Sequence, residues 1–333
     1  MTKMKFVPDL VTGRLREDDA KRYFSRFGWF AFTFTLVNIV AQNVVAIVVS
    51  QFFPSVYSHW LFWELLSLIP LYGIALPISY MILRPLPTVL PIDDKWSIKE
   101  WLSGVCISMT LMLAGNYISN IFITFFQVMK GVSMENPIET SISSMPRWAT
   151  LIFICVVAPV LEELFFRGLL CRKLLMLGEG YAIVLPAAFF ALCHGNFFQV
   201  FYAFVLGCFF SFVYVRTGKL IYTIIYHVII NFLGSFVISI ILDHVDLNSM
   251  LGGTFVVDAT NIFGLIGLLW YEIITYGAAI VGIVLLVKKH KEFKPQAGLL
   301  PPPEGKGVSC VLLNGGVAAA ITVFAITMLL SIV

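Results

Sequence analysis

The chain contains 333 residues, of which 59% are hydrophobic and only 12% are charged, with a formal net charge of +3. About 25% of the residues of a soluble globular domain are charged, so this composition excludes a soluble fold and indicates a polytopic membrane protein. The polar N-terminus lacks the short apolar core and the small-residue cleavage site of a signal peptide. We therefore expect the first apolar segment to be retained as a membrane span.

Nine apolar segments approach the length of about 20 residues that a helix needs to cross a hydrocarbon core of about 30 Å. The sequence therefore predicts an all-α fold, a polytopic membrane bundle of about nine transmembrane helices in which an eight-helix core is followed by an appended last helix. The fifth and sixth segments are short and meet at a turn near Asn196, so they could form a hairpin that does not cross the membrane fully. The predicted spans are 27–50, 61–83, 101–127, 148–170, 182–198, 199–215, 219–241, 262–287 and 310–332.

Lysine and arginine are concentrated in alternate connections between these spans. The N-terminal tail has seven of them, whereas the connections 51–60 and 242–261 have none. Basic residues near span ends mark the cytoplasmic side, so we predict a cytoplasmic N-terminus in a multi-pass protein of the cell membrane. The lipid bilayer is the expected partner, and no nucleic-acid partner is expected.

The chain divides by composition into four regions. Residues 1–26 form a polar cytoplasmic tail, 27–287 the helical bundle, 288–309 a basic and proline-rich cytoplasmic linker, and 310–333 a C-terminal transmembrane helix. The linker contains PQAGLLPPPEGKG, in which three consecutive prolines favour an extended, stiff conformation. We expect this spacer to separate the last helix from the main bundle.

Three charged residues interrupt the fourth apolar segment, LEELFFRGLL. Each charge costs about 2.5–3.5 kcal/mol at the centre of a membrane helix. Glu163 and Arg167 are four residues apart and can pair on one helix face, and a structural clamp would account for that pair alone. Glu162 lies on a different face without a partner in its own helix. This second carboxylate favours a functional interpretation.

Two further polar pairs lie in the neighbouring segments. FALCHGNFFQ places Phe190 four residues before His194, and YHVIINFLGS places His227 four residues before Asn231. A single histidine in an apolar helix is more often a core residue whose hydrogen bonds are satisfied. Two histidines, together with Glu162 at a compatible depth, predict that three helices converge on a hydrated cavity in the cytoplasmic half.

These residue types suit peptide hydrolysis. A buried glutamate can act as a general base towards water, a histidine can orient that water or relay protons, and an asparagine amide can donate to an oxyanion. The zinc-protease motif HExxH is absent. Glu162, His194 and His227 could nevertheless bind Zn²⁺ or another divalent metal, although Asn231 is a poor zinc ligand. A metal-free mechanism is equally compatible with the sequence.

The three pairs stand in the order EExxxR, FxxxH and HxxxN. In this order they resemble the motifs of the CPBP intramembrane protease family, also called the ABI or CAAX-protease family, which includes the type II CAAX prenyl endopeptidases. Each motif alone is weakly specific, but three in adjacent membrane segments are strongly specific. The resemblance covers about residues 145–240 and implies a protease core within the helical bundle.

The resemblance also implies a role for each motif residue. Glu162 would be the base that activates water, and His194 its partner at that water. His227 and Asn231 would stabilise the oxyanion. Glu163 and Arg167 would be the supporting pair, with Phe190 packed under His194.

The resulting functional prediction is an intramembrane endopeptidase that cleaves membrane-embedded or lipid-modified peptides. The alternative is a non-catalytic membrane protein, such as a transporter or a scaffold for a peptide exporter or sensor kinase, of the type that confers bacteriocin self-immunity. Transporters also place ionisable residues at bilayer depth. Glu272, near the middle of the eighth span, lies outside the motifs, and we expect it to face a cavity or to pair with a polar group.

Overall fold

The computed structural model describes residues 6, 9, 12–131, 133–245, 252 and 261–332. Within that part of the chain it is entirely helical and contains no β-strand, which confirms the prediction of an all-α polytopic bundle. Of the predicted tail and of the connection 242–261, residues 1–5, 7, 8, 10, 11, 246–251 and 253–260 lie outside the described residues.

Nine long helices organise the described residues. Seven are long and apolar enough to cross a membrane, and two are shorter. The helices are α1 (Glu17–Phe52), α2 (Trp60–Leu83), α3 (Ile98–Lys130), α4 (Arg147–Leu174), α5 (Glu179–Cys193), α6 (Val200–Thr217), α7 (Leu220–Leu242), α8 (Ile262–Phe293) and α9 (Gly315–Leu330). Short helices at Pro54–Tyr57, Pro137–Ser144 and Gly307–Leu312 lie in the connections.

Helix α3 shows how local sequence sets the ends of these helices. At its start the Ser97 hydroxyl accepts from the Glu100 amide at 3.3 Å, and the Glu100 carboxylate accepts from the Ser97 amide at 2.7 Å. This reciprocal capping satisfies amide groups that have no partner within the helix. The helix ends at Lys130 and is capped by Gly131, whose φ of 69° is the left-handed conformation that glycine adopts without strain.

Helix α4 is not a uniform α-helix. Two π-helical stretches, Thr150–Val157 and Phe166–Cys171, enclose the α-helical stretch Ala158–Phe165 that carries Glu162 and Glu163. Short π-helical segments are frequent at functional sites. Helix α7 has the same feature at Phe232–Val237, directly after Asn231.

An aromatic cluster fixes the position of α4 in the bundle. The rings of Phe34 in α1 and Phe165 in α4 stack with centroids 5.0 Å apart, and both contact Phe189 of α5. Phe324 of α9 contacts Phe189 from the other side at 5.7 Å. Large buried rings contribute much of the packing energy of a core, so these contacts hold α4 and α5 together beside the polar residues.

Helices α5 and α6 form a hairpin whose turn lies at residues 194–199, which agrees with the turn predicted near Asn196. With 15 residues, α5 is about 22 Å long, shorter than a hydrocarbon core of about 30 Å. Gly195 takes a φ of 64° and lets the chain reverse. The short helix therefore places His194, one residue beyond its end, inside the depth of the bundle.

Several boundaries differ from the predicted ones. Helix α1 begins at Glu17, ten residues before the predicted span and within the predicted tail. Helix α5 ends at Cys193, five residues before the predicted end, because the HGN turn begins there. Helix α8 continues as a 3₁₀ turn to Phe293, within the predicted linker.

The proline-rich linker is extended, but it does not hold α9 apart from the bundle. The Gln296 amide donates to the Glu179 carboxylate at 2.7 Å, and the Leu300 amide donates to the Met176 carbonyl at 2.9 Å. Glu179 also pairs with Arg216 at 2.8 Å. The linker thus lies against the ends of α4, α5 and α6, and the expectation of a separate last helix is corrected.

Helix α9 packs along α1 through small residues. A Cβ atom built on Gly316 would overlap the Ser25 carbonyl oxygen, and one built on Gly28 would overlap the Gly316 backbone. Small residues let membrane helices approach closely where lipid provides no hydrophobic drive for association. The contact between these two glycines therefore accounts for the position of α9.

We predict that Gly316→Ala destabilises the contact between α9 and α1 by about 1–3 kcal/mol, because the added methyl group overfills a closed contact. The matched control is Gly315→Ala, since a Cβ at Gly315 meets no atom within 4 Å. Thermal unfolding in detergent should show a lower midpoint for Gly316→Ala alone. Equal midpoints for the two variants would contradict this packing.

Candidate active site

The centre of the site is a fully buried ion pair within α4. Arg167 donates through Nη1 to Glu163 Oε1 at 2.9 Å, and both side chains are 0% exposed. Arg167 Nη2 also donates to the Gly207 carbonyl of α6 at 3.2 Å, and the guanidinium lies 5.0 Å from the centre of the Phe190 ring. The i, i+4 pairing inferred from the sequence is thus present, and it links α4 to α5 and α6.

His227 of α7 lies between the two adjacent carboxylates. Its Nδ1 is 2.9 Å from Glu163 Oε1, and its Nε2 is 3.5 Å from Glu162 Oε2. Glu163 is ionised beside Arg167, so Nδ1 carries the hydrogen of that bond. Nε2 then faces the carboxylate of Glu162.

The two glutamates differ in exposure although they are neighbours in sequence. The Glu162 side chain is 22% exposed, whereas that of Glu163 is 0% exposed. Adjacent residues of a helix point about 100° apart, so one acid turns towards the ion pair and the other keeps exposed surface. Glu162 is therefore the accessible carboxylate of the two.

His194 is held by its own helix end. Its Nδ1 is 2.8 Å from the Phe190 carbonyl oxygen, and its ring contacts the Phe190 ring edge-on with centroids 4.8 Å apart. The bond at Nδ1 leaves Nε2 as the acceptor in the neutral ring. Phe190 also contacts His227 at 5.8 Å, so one aromatic ring supports both imidazoles. Glu162 is near enough to His194 for their charges to interact.

The turn after His194 is closed by Asn196. Its side-chain Nδ2 donates to the His194 carbonyl at 2.8 Å and to Gln199 Oε1 at 2.9 Å. Its side-chain Oδ1 accepts from the Gln199 backbone amide at 3.0 Å. Because three hydrogen bonds fix the turn, the orientation of His194 does not depend on α5 alone.

Asn231 ties α7 to the π-helical part of α4. Its Nδ2 donates to the Ile154 carbonyl oxygen at 2.9 Å. In a π-helix that oxygen would accept from the residue five positions on, which is Pro159 and has no amide hydrogen. Asn231 therefore satisfies a carbonyl group that Pro159 leaves free, and its second amide hydrogen stays available to another acceptor.

The predicted metal ligands do not form a metal-binding arrangement. No group of three or more His, Cys, Asp or Glu side chains that could hold a metal ion occurs in the part of the chain that the structure describes. His227 already uses Nδ1 on Glu163, and the Asn231 amide is bonded to a carbonyl. The donor set therefore does not fit a metal as it stands, and the Zn²⁺ site stays a prediction.

Several residues around the site were not anticipated from the sequence. Gly207 and Phe210 of α6 contact the Arg167 guanidinium, the latter with its ring centre 5.5 Å away. Tyr72 of α2 lies near enough to Glu162 for electrostatic interaction and contacts Phe165 at 6.4 Å. Nothing in the residue types singles them out, because the chain has 30 phenylalanines and 12 tyrosines.

Fold and site together define a polytopic helical membrane protein in which an acid, imidazole and guanidinium cluster lies between the spans. A family model described as Rce1-like, type II CAAX prenyl endopeptidase Rce1-like, matches residues 144–233, and this segment includes all seven predicted site residues. No curated protein and no solved structure matches the chain.

The match confirms the resemblance to the CAAX-protease family over residues 144–233. The family indicates a hydrolase, a CAAX-type protease, in a multi-pass membrane protein. The helices outside this segment, α1 to α3, α8 and α9, are not covered by the match.

We predict that Arg167→Met costs about 3–5 kcal/mol of stability, because it leaves the buried Glu163 carboxylate without its partner. The double variant Glu163→Leu/Arg167→Met should recover part of that loss, since it removes both charges. The measurement is thermal unfolding in detergent at neutral pH. A double variant less stable than Arg167→Met would contradict a dominant role of the charge pair.

Proposed function

We propose that the protein is an intramembrane endopeptidase of the cell membrane, which hydrolyses peptide bonds in membrane-embedded or lipid-modified peptides with a water activated by Glu162. The observation that carries the proposal is the geometry at His227. One neighbouring carboxylate is buried and paired with arginine, and the other is partly exposed and lies 3.5 Å from the same imidazole. A purely structural cluster does not need the second, partly exposed acid.

In the first step Glu162 removes a proton from a water that His194 Nε2 orients. The water oxygen then forms a bond to the scissile carbonyl carbon, and the carbonyl π-electrons move onto oxygen. The carboxylate of Glu162 is the general base in this step. Its 22% exposure leaves room for the reacting water.

In the second step the oxyanion is stabilised and the intermediate breaks down. His227, protonated at both ring nitrogens, donates from Nε2 while Glu163 holds Nδ1, and the second amide hydrogen of Asn231 is the other donor. The carbon–nitrogen bond then breaks, and Glu162 passes the proton it took from water to the leaving amine. The products are a carboxylic acid and an amine, and Glu163 and Arg167 act as positioning residues.

We predict that Glu162→Gln lowers cleavage of a lipid-modified reporter peptide in proteoliposomes by about 10²–10⁴-fold, the usual contribution of a general base. Glutamine keeps the size of the side chain but cannot take up the proton. The matched control is Glu272→Gln, the same change at a membrane-helix glutamate that is exposed on the surface of α8. Cleavage is followed by mass spectrometry of the reporter.

The control variant should cleave at the wild-type rate, and both variants should unfold at the wild-type temperature. A Glu162→Gln protein that cleaves like the wild type would overturn the assignment of the base. The peptide profile of membranes that contain the wild-type protein can also be compared with that of membranes that contain Glu162→Gln. Identical profiles, with no cleavage of the reporter, would favour the non-catalytic transporter or scaffold.

We expect cleavage to persist after dialysis against EDTA and 1,10-phenanthroline, because the described residues contain no group of three side chains that could hold a metal ion. The measurement compares the initial rate before and after chelation, with the metal content determined by elemental analysis. Loss of activity on chelation and its recovery on addition of Zn²⁺ would instead support the metal-dependent alternative.

A further inference from the structure

Glu64 of α2 is a buried carboxylate that the proposed mechanism does not use. The residue is 8% exposed, and no described residue forms a hydrogen bond or an ion pair with its side chain. A carboxylate in a membrane helix is costly unless it has a partner, and such residues usually mark functional sites. Glu64 also lies outside the segment that the family model matches.

Glu64 shares a face of α2 with Trp60. The groove between α1 and α2 is lined on α2 by Leu61, Phe62, Leu65, Leu66 and Ile69, and Glu64 is not among its lining residues. Trp60 precedes Glu64 by one helical turn on the same face. The Trp60 ring contacts Trp148 and Phe153 of α4, at 5.6 Å and 6.4 Å.

The same face of α2 reaches the catalytic cluster. Tyr72, two turns beyond Glu64, contacts Phe165 and lies near enough to Glu162 for electrostatic interaction. Eight residues of helix separate Glu64 from Tyr72, which is about 12 Å at 1.5 Å per residue. An extended peptide covers that distance with three or four residues.

The surroundings of Glu64 favour a cationic ligand. No lysine or arginine occurs in the adjacent connection 53–59 or in the connection 246–260, so neither can supply an ion-pair partner. Trp60, Trp148 and Phe153 provide aromatic faces near the carboxylate, and such faces attract cations. A lysine or arginine side chain of a bound peptide would satisfy the charge of Glu64 and could pack its stem against these rings.

We propose that Glu64 forms a specificity subsite that binds a lysine or arginine side chain of the substrate, three or four residues from the bond that Glu162 hydrolyses. This proposal rests on the proposed endopeptidase function, and it places a specificity-determining residue on α2. The ion pair forms only with the substrate bound, which explains why the carboxylate has no partner among the residues that the structure describes.

The test measures peptide binding to protein that cannot cleave. The probes are apolar fluorescent peptides in detergent micelles or nanodiscs. In one series each peptide carries a single lysine at one of seven positions. In the other series acetyl-lysine replaces the lysine at the same positions. Binding is measured by anisotropy to Glu162→Gln and to Glu162→Gln/Glu64→Gln. The matched control is Glu162→Gln/Glu272→Gln.

With Glu64 intact, lysine at one or two adjacent positions should bind about tenfold or more tightly than acetyl-lysine, the effect of one charge pair worth about 1.4 kcal/mol. The preference should vanish in the Glu64→Gln double variant and persist in the Glu272→Gln control. Affinity for acetyl-lysine peptides should stay the same in all three proteins, whereas a merely structural role of Glu64 would weaken both peptide series equally.

Equal binding of lysine and acetyl-lysine peptides to Glu162→Gln would overturn the subsite. That result leaves the proposed protease intact if the wild-type protein still cleaves the reporter and Glu162→Gln does not. Absence of cleavage by the wild-type protein would overturn the protease, while a charge preference that depends on Glu64 would then show a cation-binding site in a non-catalytic protein.

Discussion

The buried pair of Glu163 and Arg167 is the interaction on which the rest of the site depends. Two unpaired charges inside an apolar bundle would cost several kcal/mol each, so the chain surrounds this pair on every side. Arg167 donates to a carboxylate of α4 and to a carbonyl of α6, and its guanidinium lies over the ring of Phe190 in α5. Glu163 Oε1 also accepts a hydrogen bond from His227 of α7. One ion pair thus joins four helices, and this is why its neighbours are held close together.

Compensation of charge also separates the roles of the two adjacent acids. Glu163 pairs with Arg167 inside the bundle. It also accepts the hydrogen of His227 Nδ1, which leaves Nε2 facing Glu162. Glu162 has no lysine or arginine partner among the described residues and is partly exposed. The bond from His227 Nδ1 to Glu163 resembles the way a buried carboxylate orients the histidine of a hydrolytic triad. In the mechanism we propose, two consecutive glutamates thereby act as a positioning residue and a base.

The scaffold around the cluster uses interruptions of regular helix. Pro159 leaves the Ile154 carbonyl free within a π-helical stretch, and Asn231 binds that oxygen from α7. The short helix α5 ends inside the bundle, where the hydrogen bonds of Asn196 hold the turn that carries His194. Both devices bring polar groups to the middle of the bundle without exposing free backbone to lipid. The family match covers these elements, whereas α2 lies outside it and contributes Tyr72 and Glu64 to the same region.

The sequence alone determined the all-α class, most of the helices and the composition of the site, because these properties are local along the chain. Apolar length indicates a span, and a spacing of four residues places Glu163 beside Arg167 and Phe190 beside His194 on any helix. Only the tertiary structure decided which faces meet. That His227 lies between two carboxylates, that Asn231 binds a carbonyl of α4, that α9 packs on Gly28 and that Glu64 points inward all depend on contacts between distant segments. Helices that are apolar on every side carry no pattern that reports those contacts, since lipid and protein interior present the same surroundings to them.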